Sequence, residues 1–211
     1  VHTSFRIGNQ LFFIHIVDLD DNMETPGSIE GFISICEKFQ CLACLLPVRK
    51  KVNKWTIENL DWGLIDAKTG DIINPHNLVS DEKLIMSDYE IHQMGVEYVR
   101  DFILKKNLGY DISGFIIDPD IRPSISFYKH DTHCCVLVKV SYDPNPIVKK
   151  EEFKDVLEEM KSSYPNTIVY FAGVHLLGQE QVEKKNKSLP LYRGQGYIPN
   201  FSRLETFEDL E

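Results

Sequence analysis

Apolar residues recur at helical spacing in three stretches of the chain. Residues 28–39 begin at a serine that can cap a helix. Residues 87–105 begin with Ser87 and Glu90 at the spacing of a capping box. Residues 149–164 are followed by Pro165, which ends a helix. The pattern therefore predicts three amphipathic helices.

Runs of branched, aromatic and other apolar residues lie between these stretches and predict β-strands. The runs are residues 11–17, 41–48, 110–117, 123–129, 133–142 and 167–171. Residues 62–66 and 71–74 flank a turn that ends in Gly70, and glycine supplies the positive φ of a hairpin connection. Gly114 interrupts its run and predicts a β-bulge. Residues 75–84 have no clear period and predict a connection.

These elements predict an α/β (α+β) protein with a mixed central sheet flanked by helices. Within residues 87–173 their order is α-β-β-β-α-β. We expect an N-terminal region of strand, helix and hairpin, residues 1–84, and a core, residues 85–203. The N-terminal region either packs on the same core or forms a domain of its own. Residues 178–188 predict an exposed loop, and residues 204–211 predict a loosely attached acidic tail.

The chain is acidic, because 32 acidic residues exceed 23 basic ones and give a formal net charge of −9 over 211 residues. Nucleic acid repels such a chain unless a local basic patch offsets the field, so we expect a protein partner rather than nucleic acid. The longest apolar run, residues 41–47, is far shorter than the roughly 20 residues that span a bilayer. Residues 1–9 lack the hydrophobic core of an export signal. We therefore expect no membrane association and a cytoplasmic location.

The chain contains five cysteines, and an odd number in a chain of this length favours reduced thiols. Cys41 and Cys44 have the spacing of zinc ligands. His133, Cys134 and Cys135 could complete such a site. Residues one or three apart on a strand point to opposite faces, which argues against a shared metal. We therefore interpret the cysteines mainly as small apolar side chains.

Three polar groups each admit two interpretations. Residues 49–54 are strongly basic and lie beside Trp55, which is typical of a nucleic-acid-binding patch or of a solvated loop. Residues 18–22 are rich in aspartate, but they lack the glycine and distal glutamate of a calcium loop, which favours a turn. Arg193 and the glycines of residues 194–196 either bind an anion or form a glycine-rich turn.

One further group of residues concerns metal chemistry. Asp118-Pro119-Asp120 precedes one predicted strand, and Lys139 lies inside the next. A lysine inside an apolar strand costs free energy unless its ammonium group finds a partner or reaches the strand end. These residues and the order of elements around them resemble the core of the PD-(D/E)xK nucleases, the restriction-endonuclease-like fold. Residues 118–125, the strand around Lys139 and residues 191–196 are also similar to a bacterial protein family with no assigned activity.

The resemblance to the nucleases implies a metal site. In that family an aspartate after a proline and an acid two residues before a lysine bind Mg²⁺, and the lysine orients the attacking water. Asp120 and Lys139 stand at the corresponding positions. The residue two before Lys139 is Leu137, whose side chain cannot bind a metal. The site that the resemblance implies is therefore incomplete.

Two functions follow from this incomplete site. The first, which we favour, is a non-catalytic binding or interaction module on a nuclease-like core, without a cofactor. The alternative is a Mg²⁺-dependent nuclease with an atypical site. Its catalytic residues would be Glu97, Asp120 and Lys139, and its metal ligands would be Glu97, Asp111, Asp118 and Asp120. Five scattered histidines are interpreted as structural rather than as general bases: His15, His92, His130, His133 and His175.

Overall fold

The computed structural model of the protein describes residues 3–20, 27–52, 54–105 and 110–207. The described residues form two compact units. The N-terminal unit comprises residues 1–84 with 192–194, and the C-terminal unit comprises residues 85–191 with 195–211. Each unit contains its own six-stranded sheet with both parallel and antiparallel pairs. The predicted α+β class is confirmed, with two mixed sheets.

The sheet of the N-terminal unit has the strand order β1-β2-β3-β5-β6, and β4 pairs with the end of β3. Strands β2 and β3 are parallel, and α1 lies between them in the chain, whereas the other described pairs of this sheet are antiparallel. Ser28 caps α1, since its Oγ accepts a hydrogen bond from the amide of Gly31 at 3.1 Å. The elements are β1 (Thr3–Ile7), β2 (Gln10–Asp18), α1 (Ile29–Lys38), β3 (Leu42–Lys51), β4 (Lys54–Ile57), β5 (Leu64–Asp66), β6 (Ile72–Ile73) and a 3₁₀ turn (Pro75–Leu78).

The sheet of the C-terminal unit has the order β11-β10-β9-β8-β7, and β12 pairs with β10. Strands β7, β8 and β9 are antiparallel, whereas β9 and β10 are parallel. The elements are α2 (Asp88–Lys105), β7 (Tyr110–Phe115), β8 (Ile125–Lys129), β9 (Thr132–Tyr142), a 3₁₀ turn (Lys150–Phe153), α3 (Lys154–Ser163), β10 (Ile168–Gly178), α4 (Gln179–Glu183), β11 (Tyr197–Asn200) and β12 (Glu205–Thr206). From α2 to β10 they follow the predicted order α-β-β-β-α-β.

Strand β9 is buried on both faces, because α2 and α3 cover opposite sides of the sheet. Val136 and Val138 pack in the cluster that contains Met94 of α2. Leu137 packs in the cluster that contains Leu157 of α3. Side chains alternate along a strand, so each face of β9 belongs to one helix. The adjacent residues Cys134 and Cys135 lie in these two separate clusters, as expected from their spacing.

The start of α2 has the predicted capping box. The amide and the hydroxyl of Ser87 both donate hydrogen bonds to Glu90 Oε2, each at 3.0 Å. The amide of Glu90 donates to Ser87 Oγ at 3.4 Å. Glu90 is fully buried, so this pairing satisfies polar groups that would otherwise lose water without replacement.

Short elements differ from the sequence prediction. Strands β1, β4, β11 and β12 were not predicted, because two to five residues show no usable period. The stretch predicted as an exposed loop contains α4. Part of the predicted loose tail is ordered as β12, which pairs with β10, while residues 208–211 lie outside the described residues. The predicted bulge is confirmed, since the β7–β8 register shifts between Ile112 and Gly114.

We predict that alanine at Gly95 destabilises the C-terminal unit. A Cβ atom on Gly95 of α2 would lie 2.2 Å from Cγ2 of Val140 on β9. Alanine gains about 1 kcal/mol of helix propensity, but overpacking of this kind costs about 1–3 kcal/mol. We expect Gly95→Ala to lower the free energy of unfolding in urea. The loss caused by Gly95→Ala should be smaller when the chain also carries Val140→Ala, because the smaller side chain leaves room for the new methyl group. Strictly additive effects of the two substitutions would contradict this explanation.

Candidate functional site

The Pro-Asp motif lies in the loop between β7 and β8 and forms a tight turn. The amide of Asp120 donates a hydrogen bond to Asp118 Oδ1 at 2.9 Å. The amide of Ile121 donates to the carbonyl of Asp118 at 3.3 Å. Asp118 is half-buried and Asp120 is exposed. Asp118 therefore shapes the turn, and the Asp120 side chain reaches solvent.

Ser124 fixes the end of this loop to β9. Its amide donates to the carbonyl of Val136 at 2.9 Å. Its Oγ accepts from the amide of Val138 at 3.2 Å, and the residue is buried. Both bonds are made just before Lys139, so the loop is held against the stretch of β9 that carries the lysine.

Lys139 is half-buried on β9, and its ammonium group lies 5.4 Å from the ring centroid of Phe153. Burial lowers the pKa of Lys139, and the positive charge of Arg122 lowers it further, while the carboxylate of Asp120 raises it. Arg122 itself pairs with Glu159, Nη1 to Oε2, at 3.2 Å. The interaction with Asp120 shows that the Pro-Asp loop and the lysine share one neighbourhood.

His92 lies on α2, which covers the face of the sheet opposite to that of Leu137 and Lys139, but the charges of Lys139 and of the Pro-Asp loop still act on its imidazole. Its side chain is buried, and no other residue in the described part of the chain gives its Nε2 a hydrogen-bond partner. Burial lowers the pKa of His92 to about 4, and the charge of Lys139 also lowers it. The carboxylates of Asp118 and Asp120 act in the opposite direction. In the sequence, His92 is one of several scattered histidines. The packing of α2 on the sheet, which the sequence does not show, brings it near these charged residues.

Two other predicted site residues lie elsewhere. Glu97 follows His92 by five residues, which turns it about 140° around the helix axis. It accepts a hydrogen bond from Gln93 Nε2 at 2.7 Å instead. Asp111 pairs with Tyr128 at the start of β7, the opposite end of that strand from the Pro-Asp loop. Neither carboxylate joins the group around Lys139.

Leu137, at the position of the missing acid, is part of the apolar core. It is 1% exposed and packs in the cluster that contains Leu157 and Phe171. It lies on the same face of β9 as Lys139, as the spacing requires. Across residues 3–20, 27–52, 54–105 and 110–207, no three histidine, cysteine, aspartate or glutamate side chains are grouped so that they could hold a metal ion.

A comparison with protein-family models finds one match, described as Domain of unknown function (DUF8840), over residues 89–207. The chain belongs to this family. The matched residues run from α2 to just beyond β12, and we call this segment the DUF8840 domain. No curated protein and no solved structure matches the chain. Within the described ranges, none of the helices has the length and apolar composition needed to cross a bilayer.

The basic stretch beside Trp55 lies on the paired strands β3 and β4 rather than in a solvated loop. Arg49 and Lys50 belong to β3, which pairs with β4. Arg49 forms ion pairs with Asp20 and Glu58. The ammonium group of Lys50 lies 5.8 Å from the ring centroid of Trp55. Part of the positive charge of this stretch is therefore already neutralised by neighbouring acidic side chains.

The remaining polar groups have structural contacts. Arg193 is buried, and its Nη2 donates to the carbonyl of Gln40 at 2.8 Å, so this guanidinium supports the fold rather than facing an external anion. Asp18 Oδ1 accepts from the amide of Asp20 at 3.0 Å, which is the turn that the sequence favours. Asp21 and Asn22, of the same acidic stretch, lie outside the described residues.

We predict that His92 makes the stability of the chain depend on pH. The pKa of His92 is lowered from 6.5 to about 4 in the folded state. The unfolded chain therefore binds the proton more readily, and stability falls as the pH drops from 6.5 towards 4. Between pH 7 and pH 5 this loss amounts to about 2 kcal/mol.

The comparison with His92→Gln isolates this effect, because all other titrating groups are shared. We expect the loss in unfolding free energy from pH 7 to pH 5 to be smaller by about 2 kcal/mol in His92→Gln than in the parent chain. An NMR titration of the imidazole gives the pKa of His92 directly. Equal losses in both chains would contradict the low pKa.

Proposed function

We propose that the DUF8840 domain of this chain is a non-catalytic binding module with a nuclease-like core. The observation that supports the proposal most directly is the burial of Leu137 in an apolar cluster beneath α3. In the PD-(D/E)xK nucleases that the sequence resembles, a carboxylate at this position binds Mg²⁺. Leucine offers no ligand atom, and the packing around it gives a charged replacement no polar partner.

The contacts of Lys139 support the same conclusion. In a working site the lysine would lie beside a metal-bound water, with acids around it. Here its ammonium group lies over the ring of Phe153, and the nearby Arg122 adds a second positive charge. The loop carboxylate of Asp118 is already bonded to the backbone amide of Asp120. The groups that would organise a metal and a water therefore have other partners.

A protein is the partner that fits the rest of the domain. Strand β7 is the edge of the sheet, and edge strands pair readily with an extended segment of another chain. Phe115, Ile116 and Ile121, at and beyond the end of β7, are exposed apolar residues. The net charge of −9 disfavours nucleic acid. We place the module in the cytoplasm, since the five cysteines are all free thiols.

One observation favours a second candidate, a metal-dependent nuclease in which His92 replaces the missing acid. Among the residues that the structure describes, the buried Nε2 of His92 has no hydrogen-bond partner, and the carboxylates of Asp118 and Asp120 raise the pKa of this imidazole. An imidazole with two carboxylates suits Mn²⁺ or Zn²⁺ better than Mg²⁺. This candidate requires the Pro-Asp turn to rearrange, because Asp118 is bonded within it.

A cleavage assay separates the two candidates. We predict that the chain does not cleave plasmid DNA, single-stranded DNA or RNA with Mg²⁺ or Mn²⁺ above the level of Asp120→Ala. Glu97→Gln is the matched control, since Glu97 lies outside the group around Lys139. Cleavage that is lost in both Asp120→Ala and His92→Gln but retained in Glu97→Gln would overturn the binding module and establish the nuclease.

We predict that an acid at position 137 destabilises the domain rather than completing a site. Leu137→Ala should cost about 2–5 kcal/mol, as for other buried leucines, and Leu137→Glu should cost more because it also buries a carboxyl group. Leu137→Met, which conserves volume, should cost less than about 1.5 kcal/mol. Unfolding in urea measures all three. A stable Leu137→Glu chain with metal-dependent cleavage would contradict the prediction.

A further inference from the structure

A second buried polar group lies at the carboxyl ends of β9 and β10. Ser141 and His175 are paired in register on these parallel strands. Ser141 Oγ lies 2.9 Å from His175 Nδ1, and both residues are buried. Asp143 follows the last residue of β9, and its Oδ1 lies 3.4 Å from His175 Nε2. The imidazole of His175 therefore lies between the hydroxyl of Ser141 and the carboxylate of Asp143.

The three groups differ in what they can offer a ligand. The ring of His175 is hydrogen-bonded to Ser141 at Nδ1 and faces Asp143 at Nε2. A carboxylate accepts hydrogen bonds. His175 and Ser141 thus line the inner side of the carboxylate. They are positioning residues, and Asp143 is the member that can meet a ligand.

Asp143 lines a cavity of about 320 Å³. Cavities of this size suit small ligands. Open α/β sheets bind ligands beyond the carboxyl ends of their parallel strands, which is where this cavity lies. The lining residues are Asp143, Leu177, Gln181, Val182, Lys185 and Lys187.

Gln181 gives the cavity a fixed wall. Its Nε2 donates to the carbonyl of Asp143 at 3.3 Å and also to the carbonyl of Leu189. Its Oε1 accepts from the amide of Gly178 at 2.7 Å. These contacts to three backbone groups tie α4 and the following segment to the end of β9. The wall is therefore organised before a ligand binds, which reduces the entropic cost of binding.

The two lysines supply positive charge to the cavity. Lys187 Nζ lies 3.7 Å from Asp143 Oδ2, and the lysine side chain is 78% exposed, so a ligand can displace this weak pair. Lys185 follows the end of α4 with φ of 51°, a conformation that glycine or asparagine usually occupies. Lys185 is one of the residues that line the cavity.

We propose that this cavity binds a small organic anion that also carries a hydroxyl or amino group. The anionic group, a carboxylate or a phosphate, lies between the ammonium groups of Lys185 and Lys187. The hydroxyl or amino group donates a hydrogen bond to Asp143, and Leu177 and Val182 cover the carbon atoms. The proposal is independent of the function assigned to the group around Lys139, because the two sites share no residue.

Four small molecules test the proposal by NMR titration of the full chain at low salt. Glycerol 3-phosphate and glycerate carry both kinds of group, sulfate carries only the charge, and glycerol carries only hydroxyls. We expect saturable shifts at the lining residues with at least one of the first two. The anion is identified by which of these two molecules binds more tightly. Sulfate has no proton to donate, so it should bind about tenfold more weakly because it lacks the bond to Asp143, and glycerol should not bind.

Substitutions distinguish this site from general attraction to lysines. Lys185→Gln combined with Lys187→Gln should abolish binding, whereas Lys184→Gln should not, because Lys184 pairs with Glu180 and does not line the cavity. Asp143→Asn should reduce the preference for the bifunctional molecule over sulfate. The proposal is overturned if neither bifunctional molecule binds saturably, or if Lys184→Gln weakens binding as much as the double substitution does.

Discussion

The parallel pairing of β9 with β10 is the constraint on which the rest of the C-terminal unit depends. The pairing runs from Cys134–Ile168 to Tyr142–Leu176, and most of its residues are buried on both faces. Two such strands cannot be joined by a tight turn, so a crossover is needed, and α3 supplies it. The other face of the two strands also needs an apolar cover. Helix α2 provides it with its apolar side, and the capping box stabilises the start of this helix. The sheet, the helices and the polar groups at the strand ends follow from this one pair.

The alternation of side chains between the two faces of β9 decides which chemistry each position of the strand can support. Leu137, Lys139 and Ser141 share one face and pass from the middle of the strand towards its carboxyl end. The first is enclosed by apolar side chains, the second reaches an aromatic ring, and the third bonds to a histidine. Polarity therefore increases along the strand. An acid at the first position would have to be buried where the strand offers no polar partner.

Local features of the sequence predict most of the scaffold, while the sites depend on long-range placement. The capping residues Ser87 and Glu90 and the bulge near Gly114 are visible because their signals lie within a few neighbouring residues. The approach of His92 to the Pro-Asp loop and the contact of Ser141 with His175 join residues more than two dozen positions apart. Helix packing and strand register set these approaches, and no local period encodes either. Short strands such as β12 form only because β10 offers them an edge.

The DUF8840 domain contains two clusters of polar side chains, one around Lys139 and one at the ends of β9 and β10. The clusters differ in how far their polar atoms find partners within the cluster. Around Lys139, a buried imidazole nitrogen has no hydrogen-bond partner among the described residues, and two positive side chains lie in one neighbourhood. At the end of β9 and β10, Ser141 is hydrogen-bonded to His175, whose other ring nitrogen lies 3.4 Å from the carboxylate of Asp143 on the cavity wall. Side chains that contact one another in this way keep their geometry, which recognition of a small molecule requires. The carboxyl end of the parallel pair is thus the better organised of the two sites, although the sequence directs attention to the other.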